Sequence, residues 1–308
     1  MSSLRPRIST TVRTRLQLAL LRTGFRLAGL LRPDVAVARA SRLFSTPMRG
    51  TRQRALQEPD GDAVRGGFDM DGHRIETYAW GDPASQPYVL FAHGWSSHGT
   101  RFLPWIPRLR EAGYAVVAFD QPAHGRSGGQ RTTLPDFACT LFAVARHFGP
   151  AAAVVGHSLG GAAASVALAR GLRADRAILI APAADPVDAA LRFARLIRLP
   201  QRLCRRMIAA FESSVGVSFD ELQAQHNAPQ IARPALIVHD LEDREVPWSE
   251  GERYARYWAD ARLLSTQGLG HNRIAGDESV IAAALRFLGG ETVGERVVSS
   301  PNLPYGLA

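Results

Sequence analysis

Short apolar runs recur along the chain from residue 88 onward, and most are separated by segments long enough for a helix. The runs are Tyr88 to Ala92, Ala115 to Phe119, Ala151 to Val155, Ala177 to Ile180, Ala235 to Val238 and Arg262 to Leu264. Continuously apolar strands that alternate with helices are typical of a parallel sheet buried on both faces. Before them, Phe68 to Trp80 alternates around Asp71-Gly72, which predicts a β-hairpin. We therefore expect an α/β fold with a mostly parallel, doubly wound sheet of about eight strands.

One interval between two predicted strands is much longer than the others. Residues 185–232 carry apolar residues at helical spacing, together with arginines at 192, 195, 198, 202, 205 and 206. An insertion of this size at the carboxyl end of a strand predicts a small helical cap over a binding site. The arginines are interpreted either as the solvated face of these helices or as cations presented to an anionic substrate or lipid headgroup.

The N-terminal segment predicts a basic amphipathic helix over residues 14–31. Its leucines are interrupted by Arg15, Arg22 and Arg26, whose spacing places them on one stripe of the helix. The segment is too charged to span a bilayer and lacks the apolar core and cleavage site of a secretory signal. Three interpretations stay open: a helix packed on its own domain, an interfacial helix on an anionic membrane, and an organellar targeting peptide.

Charge is concentrated at the N-terminus. All 37 cationic side chains are arginine and the formal net charge is +9; residues 1–54 hold 12 arginines and one acid, Asp34, whereas the rest holds 25 arginines and 27 acids. A nearly neutral main domain argues against nucleic-acid binding by the body of the protein. We expect residues 1–54 to form a helical extension, 45–66 to form a linker, 67–288 to form the catalytic domain, and 289–308 to form a tail.

Several classes of site find no support in the sequence. The two cysteines, Cys139 and Cys204, form no metal or redox motif, which favours ordinary thiols in a reducing compartment. Neither a phosphate-binding loop, a dinucleotide fingerprint nor a metal-ligand cluster is found, so no cofactor and no metal is expected. The expected location is cytoplasmic, with peripheral association with the inner membrane through residues 14–31 as the alternative.

Candidate chemistry begins at Gly156-His157-Ser158-Leu159-Gly160, where an apolar run meets small residues at helical spacing. A G-x-S-x-G turn between a strand and a helix exposes its serine, which makes Ser158 a candidate nucleophile. A serine hydroxyl needs a neighbouring base, and the base needs a carboxylate to orient it. His271 and Asp243 lie in loops after later strands and have the right residue types. Asp240, Glu242 and Asp277 are the competing carboxylates.

Residues 67–288 resemble an α/β-hydrolase-fold enzyme of the serine esterase and lipase type. The resemblance rests on the G-x-S-x-G turn at residues 156–160, which we call the elbow, and on three further segments: His93-Gly94-Trp95, the turn from Phe119 to Ser127, and the acid pattern from His239 to Pro247. Ala123 and Asp240 stand where that family usually has glycine. The resemblance implies Ser158 as nucleophile, His271 as general base and then acid, and Asp243 as its orienter. It also implies an oxyanion hole formed by the backbone N–H groups of Trp95 and Leu159.

The expected activity is hydrolysis of a carboxylic ester or related acyl bond through an acyl-enzyme on Ser158. A serine at the elbow argues against the carboxylate-nucleophile chemistry of haloalkane dehalogenases and epoxide hydrolases in this fold. We expect a small-molecule substrate with an apolar acyl part, and a monomer or weak oligomer. Two alternatives stay open: C–C bond hydrolase, lyase or perhydrolase chemistry with the same triad, and a catalytically silent binding protein. Of the other histidines, His93 and His157 are expected to orient loops, His124 to belong to a turn, and His73, His98, His147 and His226 to serve packing or the surface.

Overall fold

The structure is a computed structural model that describes residues 10–297. Residues 1–9 of the predicted N-terminal extension and residues 298–308 of the predicted tail lie outside the described residues. The strands are β1 (Val64–Met70), β2 (His73–Trp80), β3 (Tyr88–Ala92), β4 (Ala115–Phe119), β5 (Ala151–His157), β6 (Ala174–Ile180), β7 (Ala235–Asp240) and β8 (Ala261–Thr266). The helices are α1 (Thr10–Leu31), α2 (Pro33–Phe44), α3 (Arg49–Ala55), α4 (Ile106–Glu111), α5 (Leu134–Phe148), α6 (Leu159–Ala169), α7 (Pro186–Ile197), α8 (Gln201–Val215), α9 (Ala224–Asn227), α10 (Trp248–Tyr257), α11 (Gly270–Arg273) and α12 (Glu278–Leu288).

All eight strands form one sheet in the order β1-β2-β4-β3-β5-β6-β7-β8. Strands β3 to β8 run parallel, whereas β1 pairs antiparallel with β2 and β2 pairs antiparallel with β4. Met70 opposes His73 across the predicted Asp71-Gly72 turn, so the hairpin lies where the alternation placed it. The predicted fold class is therefore confirmed.

The central strands are apolar at every position because both faces of the sheet are covered. In β3 all five residues are buried. Leu90 packs with Leu141 of α5 on one face, while Phe91 packs with Phe102 and Trp105 on the other. Burial on both faces removes the polar alternation that a half-exposed strand would show.

Four strands extend beyond their apolar runs, and among them β7 continues to Asp240. Strand β6 begins at Ala174 and β8 covers residues 261–266, because their polar residues still pair in register with neighbouring strands. Strand β5 continues to His157, which brings the strand directly against Ser158. The elbow is thus tighter than the apolar run alone predicts.

The chain is divided into two compact units. The helical unit comprises residues up to Phe44 together with Val187–Phe219, and the catalytic unit comprises Ser45–Pro186 and the chain from Asp220 onward. Both boundaries differ from the predicted ones. Residues 45–54 of the predicted N-terminal extension and residues 220–232 of the predicted insertion lie in the catalytic unit, where the backbone N–H of Ala224 bonds the carbonyl of Ala184 at 2.8 Å.

Within the helical unit, α1 packs on α2 and α2 packs on α8. The ring of Phe44 lies 5.1 Å from that of Phe193 and 5.6 Å from that of Phe211, measured between centroids. A Cβ at Gly29 would lie 3.3 Å from Cδ1 of Leu203, so the missing side chain lets α1 approach α8 closely. The predicted N-terminal helix therefore exists and has a packed face inside this unit.

The prediction of a linker over residues 45–66 is wrong at its N-terminal part, where α3 forms. Arg52 donates hydrogen bonds to three backbone carbonyls, those of Gly125, Ser127 and Gly129, at 3.1, 2.5 and 3.0 Å. Composition rich in glycine, proline and polar residues is typical of a linker. Here one side chain satisfies three carbonyls of a distant turn, and that long-range interaction fixes the segment.

Among the residues that the structure describes, none of the helices combines the length and the apolar character needed to cross a bilayer.

Candidate active site

The candidate nucleophile lies at the sharp turn between β5 and α6. Ser158 has φ 55° and ψ −122°, a strained conformation for a residue other than glycine. The two flanking glycines make this turn possible. A Cβ at Gly156 would lie 2.6 Å from the carbonyl oxygen of Gly160, and a Cβ at Gly160 would lie 2.2 Å from that of Ala92. The motif glycines therefore let the strand, the helix and the neighbouring strand approach closely.

The structure brings the three predicted triad side chains together. Nε2 of His271 lies 3.0 Å from Oγ of Ser158, and Nδ1 of His271 lies 2.7 Å from Oδ2 of Asp243. An ionised carboxylate can only accept, so Nδ1 of His271 carries the proton and Nε2 is free to accept the serine proton. This chain of hydrogen bonds can take a proton from Ser158.

Asp243 is held as an anion by its surroundings. Burial opposes its ionisation, but hydrogen bonds from His239 and His271 and from the backbone N–H of Val246 outweigh burial and lower the pKa of the carboxyl. Oδ1 accepts from the backbone N–H groups of Glu245 at 2.8 Å and Val246 at 2.9 Å. The side chain is fully buried, so the negative charge stays close to the imidazole.

The competing carboxylates have other tasks. Asp240 accepts from the hydroxyl of Thr266 at 2.7 Å and from the backbone N–H of Leu269 at 2.9 Å, so it holds the loop that leads to His271. Asp277 caps α12, and Glu242 is exposed. The residue that replaces glycine in the acid pattern, Asp240, thus acquires a structural role that the pattern did not predict.

The two residues expected to supply the oxyanion hole belong to segments that adjoin Ser158. Leu159 opens α6, where the first N–H groups have no partner inside the helix. Trp95 follows Gly94, and a Cβ at Gly94 would lie 2.9 Å from Cβ of Ser158. The backbone before Trp95 therefore approaches Ser158 more closely than a residue with a side chain would allow.

Buried neutral histidines hold the segment that carries Trp95. His93 accepts at Nε2 from the backbone N–H of Gln121 at 3.0 Å, and His124 accepts at Nε2 from that of Ser96 at 2.9 Å. Burial lowers the pKa of His93 well below its usual value and lowers the pKa of His124 to about 4. Because both rings are neutral acceptors, they fix the backbone on either side of Trp95.

Two residues that bind the backbone beside His271 complete the site. His157 donates from Nε2 to the carbonyl of His271 at 2.9 Å, and Arg101 donates from Nη2 to the carbonyl of Asn272 at 3.1 Å. Arg101 also donates from Nη1 to Nδ1 of His157 at 3.3 Å. The sequence predicted a loop-orienting role for His157 but did not single out Arg101, which lies in no motif.

The buried polar turn that resembles the family pattern is structural. Asp120 accepts from the hydroxyl of Tyr78 at 2.8 Å and from the backbone N–H groups of Gly99 and Arg126, each at 2.7 Å. Ala123 has φ 67°, the left-handed conformation that glycine adopts more easily. These hydrogen bonds join the hairpin, the turn and the segment after Trp95 into one support for the site.

A cavity of about 730 Å³ lies beside Ser158 in the catalytic unit. Most of the residues that line it have polar side chains, although its surface is about equally polar and apolar. They come from α3, the segment after β3 and the loop around His271: Met48, Thr51, Arg54, Glu58, Gly94, Trp95, Ser96, Ser97, His98, Arg101, His157, Ser158, Glu245, His271, Asn272, Arg273, Gly276 and Asp277. Residues in the segment predicted as a linker therefore form one wall of the site. In the described part of the chain, no group of three or more His, Cys, Asp or Glu side chains could hold a metal ion.

Known proteins resemble this chain in sequence and in fold. The sequence model of the serine aminopeptidase S33 family, an α/β-hydrolase family, matches residues 83–222. A monoacylglycerol lipase of Mycolicibacterium smegmatis is 36% identical over 102 residues, which cover 30% of this chain and 36% of the lipase. The chain thus spans only about a third of that relative.

Two further comparisons cover more of the chain. A pimeloyl-[acyl-carrier protein] methyl ester esterase of Xanthomonas axonopodis pv. citri is 26% identical over 242 residues, which cover 65% of this chain and 94% of the esterase. The solved structure of a bacterial membrane phospholipase A covers 90% of this chain and 98% of its own, with a TM-score of 0.58 and 19% identity, a likeness of fold alone. Together with the eight-stranded sheet, the solved structure shows that the chain has the α/β-hydrolase fold, and the sequence similarities to a lipase and to an esterase each extend over part of the chain.

Proposed function

We propose that this protein is a serine hydrolase that cleaves a carboxylic ester through an acyl-enzyme on Ser158. The observation that carries the proposal is the continuous chain of hydrogen bonds from Asp243 through His271 to Oγ of Ser158. Similarity to a lipase and to a methyl ester esterase supports an ester as the bond that is cleaved.

The first half of the reaction forms the acyl-enzyme. Nε2 of His271 takes the proton of Ser158 as Oγ attacks the ester carbonyl carbon. The negative charge that develops on the carbonyl oxygen is stabilised by the backbone N–H groups of Trp95 and Leu159, an effect typically worth about 3 kcal/mol per donor. His271 then gives its proton to the departing alkoxide, and the alcohol leaves.

The second half releases the acid. His271, again neutral, takes a proton from a water molecule that attacks the acyl carbonyl carbon, and the bond to Oγ of Ser158 breaks as the proton returns to the serine. Asp243 stays ionised throughout, because its lowered pKa keeps the carboxylate available to balance the imidazolium that forms twice per turnover.

The polar cavity wall favours a polar portion of the ester beside the triad. Thr51, Ser96, Ser97 and Asn272 offer hydroxyl and amide groups on that wall. An alcohol portion that carries hydroxyl groups fits such a lining. We also propose an apolar acyl part, for which the apolar positions of the 185–232 insertion are the support.

Fluorophosphonate labelling tests the proposal together with hydrolysis of short p-nitrophenyl esters. We expect labelling of the wild type, and its loss with a fall in hydrolysis of at least about three orders of magnitude in Ser158→Ala. Ser85→Ala is the matched control, because Ser85 is an exposed turn serine, and it should label and hydrolyse like the wild type. Labelling that persists in Ser158→Ala would assign the nucleophile elsewhere.

The same experiment separates the alternatives. A C–C hydrolase, lyase or perhydrolase would be labelled at Ser158 but leave the esters intact, and a silent binding protein would neither be labelled nor hydrolyse the esters.

The second part of the proposal is peripheral association with an anionic membrane through residues 14–31, for which the arginine-rich composition of α1 is the support. Salt-sensitive binding to anionic vesicles tests it, since surface attraction is screened within about 10 Å at 0.1 M salt.

A further inference from the structure

Helix α1 has two apolar faces, and only one of them is packed. At about 100° per residue, Phe25 and Gly29 lie on the packed face. Phe25 is 1% exposed, and Gly29 lies against Leu203 and Pro200. The other apolar face, which we call the leucine face, lies opposite Phe25 and has five members: Leu16, Leu20, Leu27, Leu30 and Leu31. Packing of α1 within the helical unit explains the first face and leaves the second without a role.

The leucine face is exposed along the length of the helix for which side chains are described. Its five side chains are 56%, 66%, 54%, 75% and 78% exposed, in chain order. By the helical repeat they fall within an arc of roughly 100°. Thr23 also falls within this arc and is exposed. Isolated exposed leucines are ordinary on protein surfaces, but five on one face of a helix form an apolar stripe of the kind that marks an interaction site.

Cations border the leucine face on one side. Arg15 and Arg26 are exposed and lie about a quarter of a turn from its centre. Arg22, between them, donates from Nε to the carbonyl of Leu196 at 2.8 Å and so fixes this side of α1 to α7. Helix α1 contains no acidic residue, and Asp34 of α2 is paired with Arg206 at 2.5 Å. Nothing acidic on α1 therefore offsets its positive charge.

We propose that the leucine face docks onto the surface of an anionic lipid bilayer, with the leucines in the acyl boundary and Arg15 and Arg26 at the headgroups. This rests on the peripheral association proposed above and deepens it by naming the face of α1 that enters the bilayer, and it is independent of the acyl chemistry. A helix that is apolar on one side and basic at its edge is the form that lies in the membrane interface. Anionic lipid headgroups supply the negative charge that α1, which has no acidic residue, does not offer to its arginines.

A second copy of the chain is the main competing occupant, and charge disfavours it. Pairing two leucine faces would bring together two helices that each carry four arginines and no acid. Like charges held close together across an interface repel each other and make the free energy of association less favourable. A bilayer rich in anionic lipid meets the same helix with attraction.

The test is co-sedimentation of the full chain with vesicles of phosphatidylglycerol and phosphatidylcholine, compared with phosphatidylcholine alone. We expect preferential binding to the anionic vesicles, and a fall in affinity of about ten-fold or more in the double variant Leu20→Ser, Leu27→Ser, because two exposed leucines no longer enter the bilayer. Arg15→Gln with Arg26→Gln should weaken binding to anionic vesicles several-fold and leave binding to phosphatidylcholine unchanged.

The matched control is Leu56→Ser with Leu241→Ser, which removes two leucines that are 49% and 54% exposed in the catalytic unit. This variant should bind vesicles like the wild type. Equal binding by the leucine-face variant and this control, with far-UV circular dichroism showing both to be folded, would overturn the proposal. So would concentration-dependent dimers in sedimentation velocity that disappear in the leucine-face variant without any vesicle binding by the wild type. Ser158→Ala should bind vesicles fully, so a failure of the esterase proposal is distinguishable from a failure of docking.

Discussion

Arg101 and His157 form a hydrogen-bonded pair that holds the backbone beside His271, the candidate general base. Nη1 of Arg101 donates to Nδ1 of His157 at 3.3 Å, and Nε2 of His157 donates to the carbonyl of His271 at 2.9 Å. A carbonyl can only accept, so Nε2 of His157 carries the proton and Nδ1 must be the acceptor. Burial, and then the charge of Arg101, keep the pKa of His157 well below its usual value. His157 therefore stays neutral, with Nδ1 as the acceptor and Nε2 as the donor.

Arg101→Gln should therefore lower kcat more than it raises KM. Loss of the guanidinium releases the carbonyl of Asn272 and the acceptor on His157, and the imidazole of His271 is then less well aligned with Ser158. We expect a fall in kcat of about ten-fold or more, because small misplacements of catalytic groups are costly. Steady-state kinetics on a soluble ester measure it.

The control for Arg101 is Arg110→Gln. Arg110 is half-buried like Arg101 and bonds Gln86 and the carbonyl of Tyr114, away from the site, so kcat should not change. Added guanidinium ion should partly restore the activity of Arg101→Ala. If guanidinium fails to restore it and the kinetic change lies wholly in KM, Arg101 acts on substrate binding and not on the histidine.

Asp243→Asn should abolish most activity without unfolding the protein. The amide would present a different partner to Nδ1 of His271 and favour the wrong tautomer, which in other serine hydrolases costs about four orders of magnitude in kcat. The competing acid Glu242 is exposed, so Glu242→Gln should keep wild-type activity. A large loss in Glu242→Gln with a small one in Asp243→Asn would reverse the assignment of the acid.

Acidification should destabilise the fold through His124. Burial lowers its pKa from 6.5 to about 4 in the folded protein. As the pH falls below about 6.5, the unfolded chain binds a proton that the folded chain does not, so this contribution is present above that pH and is lost on the way to pH 4, with an upper limit of about 3 kcal/mol. Urea midpoints measured between pH 7 and 4.5 should fall.

The pH dependence has a direct control. In His124→Gln the midpoint at pH 7 should be lower, because the acceptor for the N–H of Ser96 changes, but its decline with acid should be shallower than in the wild type. His226→Gln, at an exposed histidine, should decline like the wild type. Parallel declines in the wild type and His124→Gln would mean that other buried groups dominate.

Gly160→Ala should destabilise the elbow. The new Cβ would lie 2.2 Å from the carbonyl oxygen of Ala92 and 2.6 Å from that of His93, both backbone atoms that cannot move without disturbing β3. We expect a loss of about 2–3 kcal/mol of unfolding free energy. In Gly50→Ala, where nothing lies within 4 Å of the added Cβ in α3, the helix should gain up to about 1 kcal/mol. Denaturant titrations compare the two.

The sequence determined the sheet and the order of the candidate triad. Six apolar runs and a hairpin predicted eight strands, because a strand that is buried on both faces needs apolar side chains at nearly every position. Ser158, Asp243 and His271 each follow a strand, and the carboxyl ends of parallel strands meet at one edge of a sheet. Local patterns were sufficient here because each signal lies within a few residues of the structure it specifies.

Only the tertiary structure decided how distant segments share their tasks. The hydrogen bonds of Arg52 fix a segment that has the composition of a linker, and residues of this segment line the cavity. Asp240, at a position where the family usually has glycine, accepts a hydrogen bond from the loop before His271. Helix α1 shows which of its apolar residues are buried and which are exposed only once α2 and α8 are packed. These features depend on interactions between residues far apart in sequence, and no periodicity or motif along the chain records such interactions.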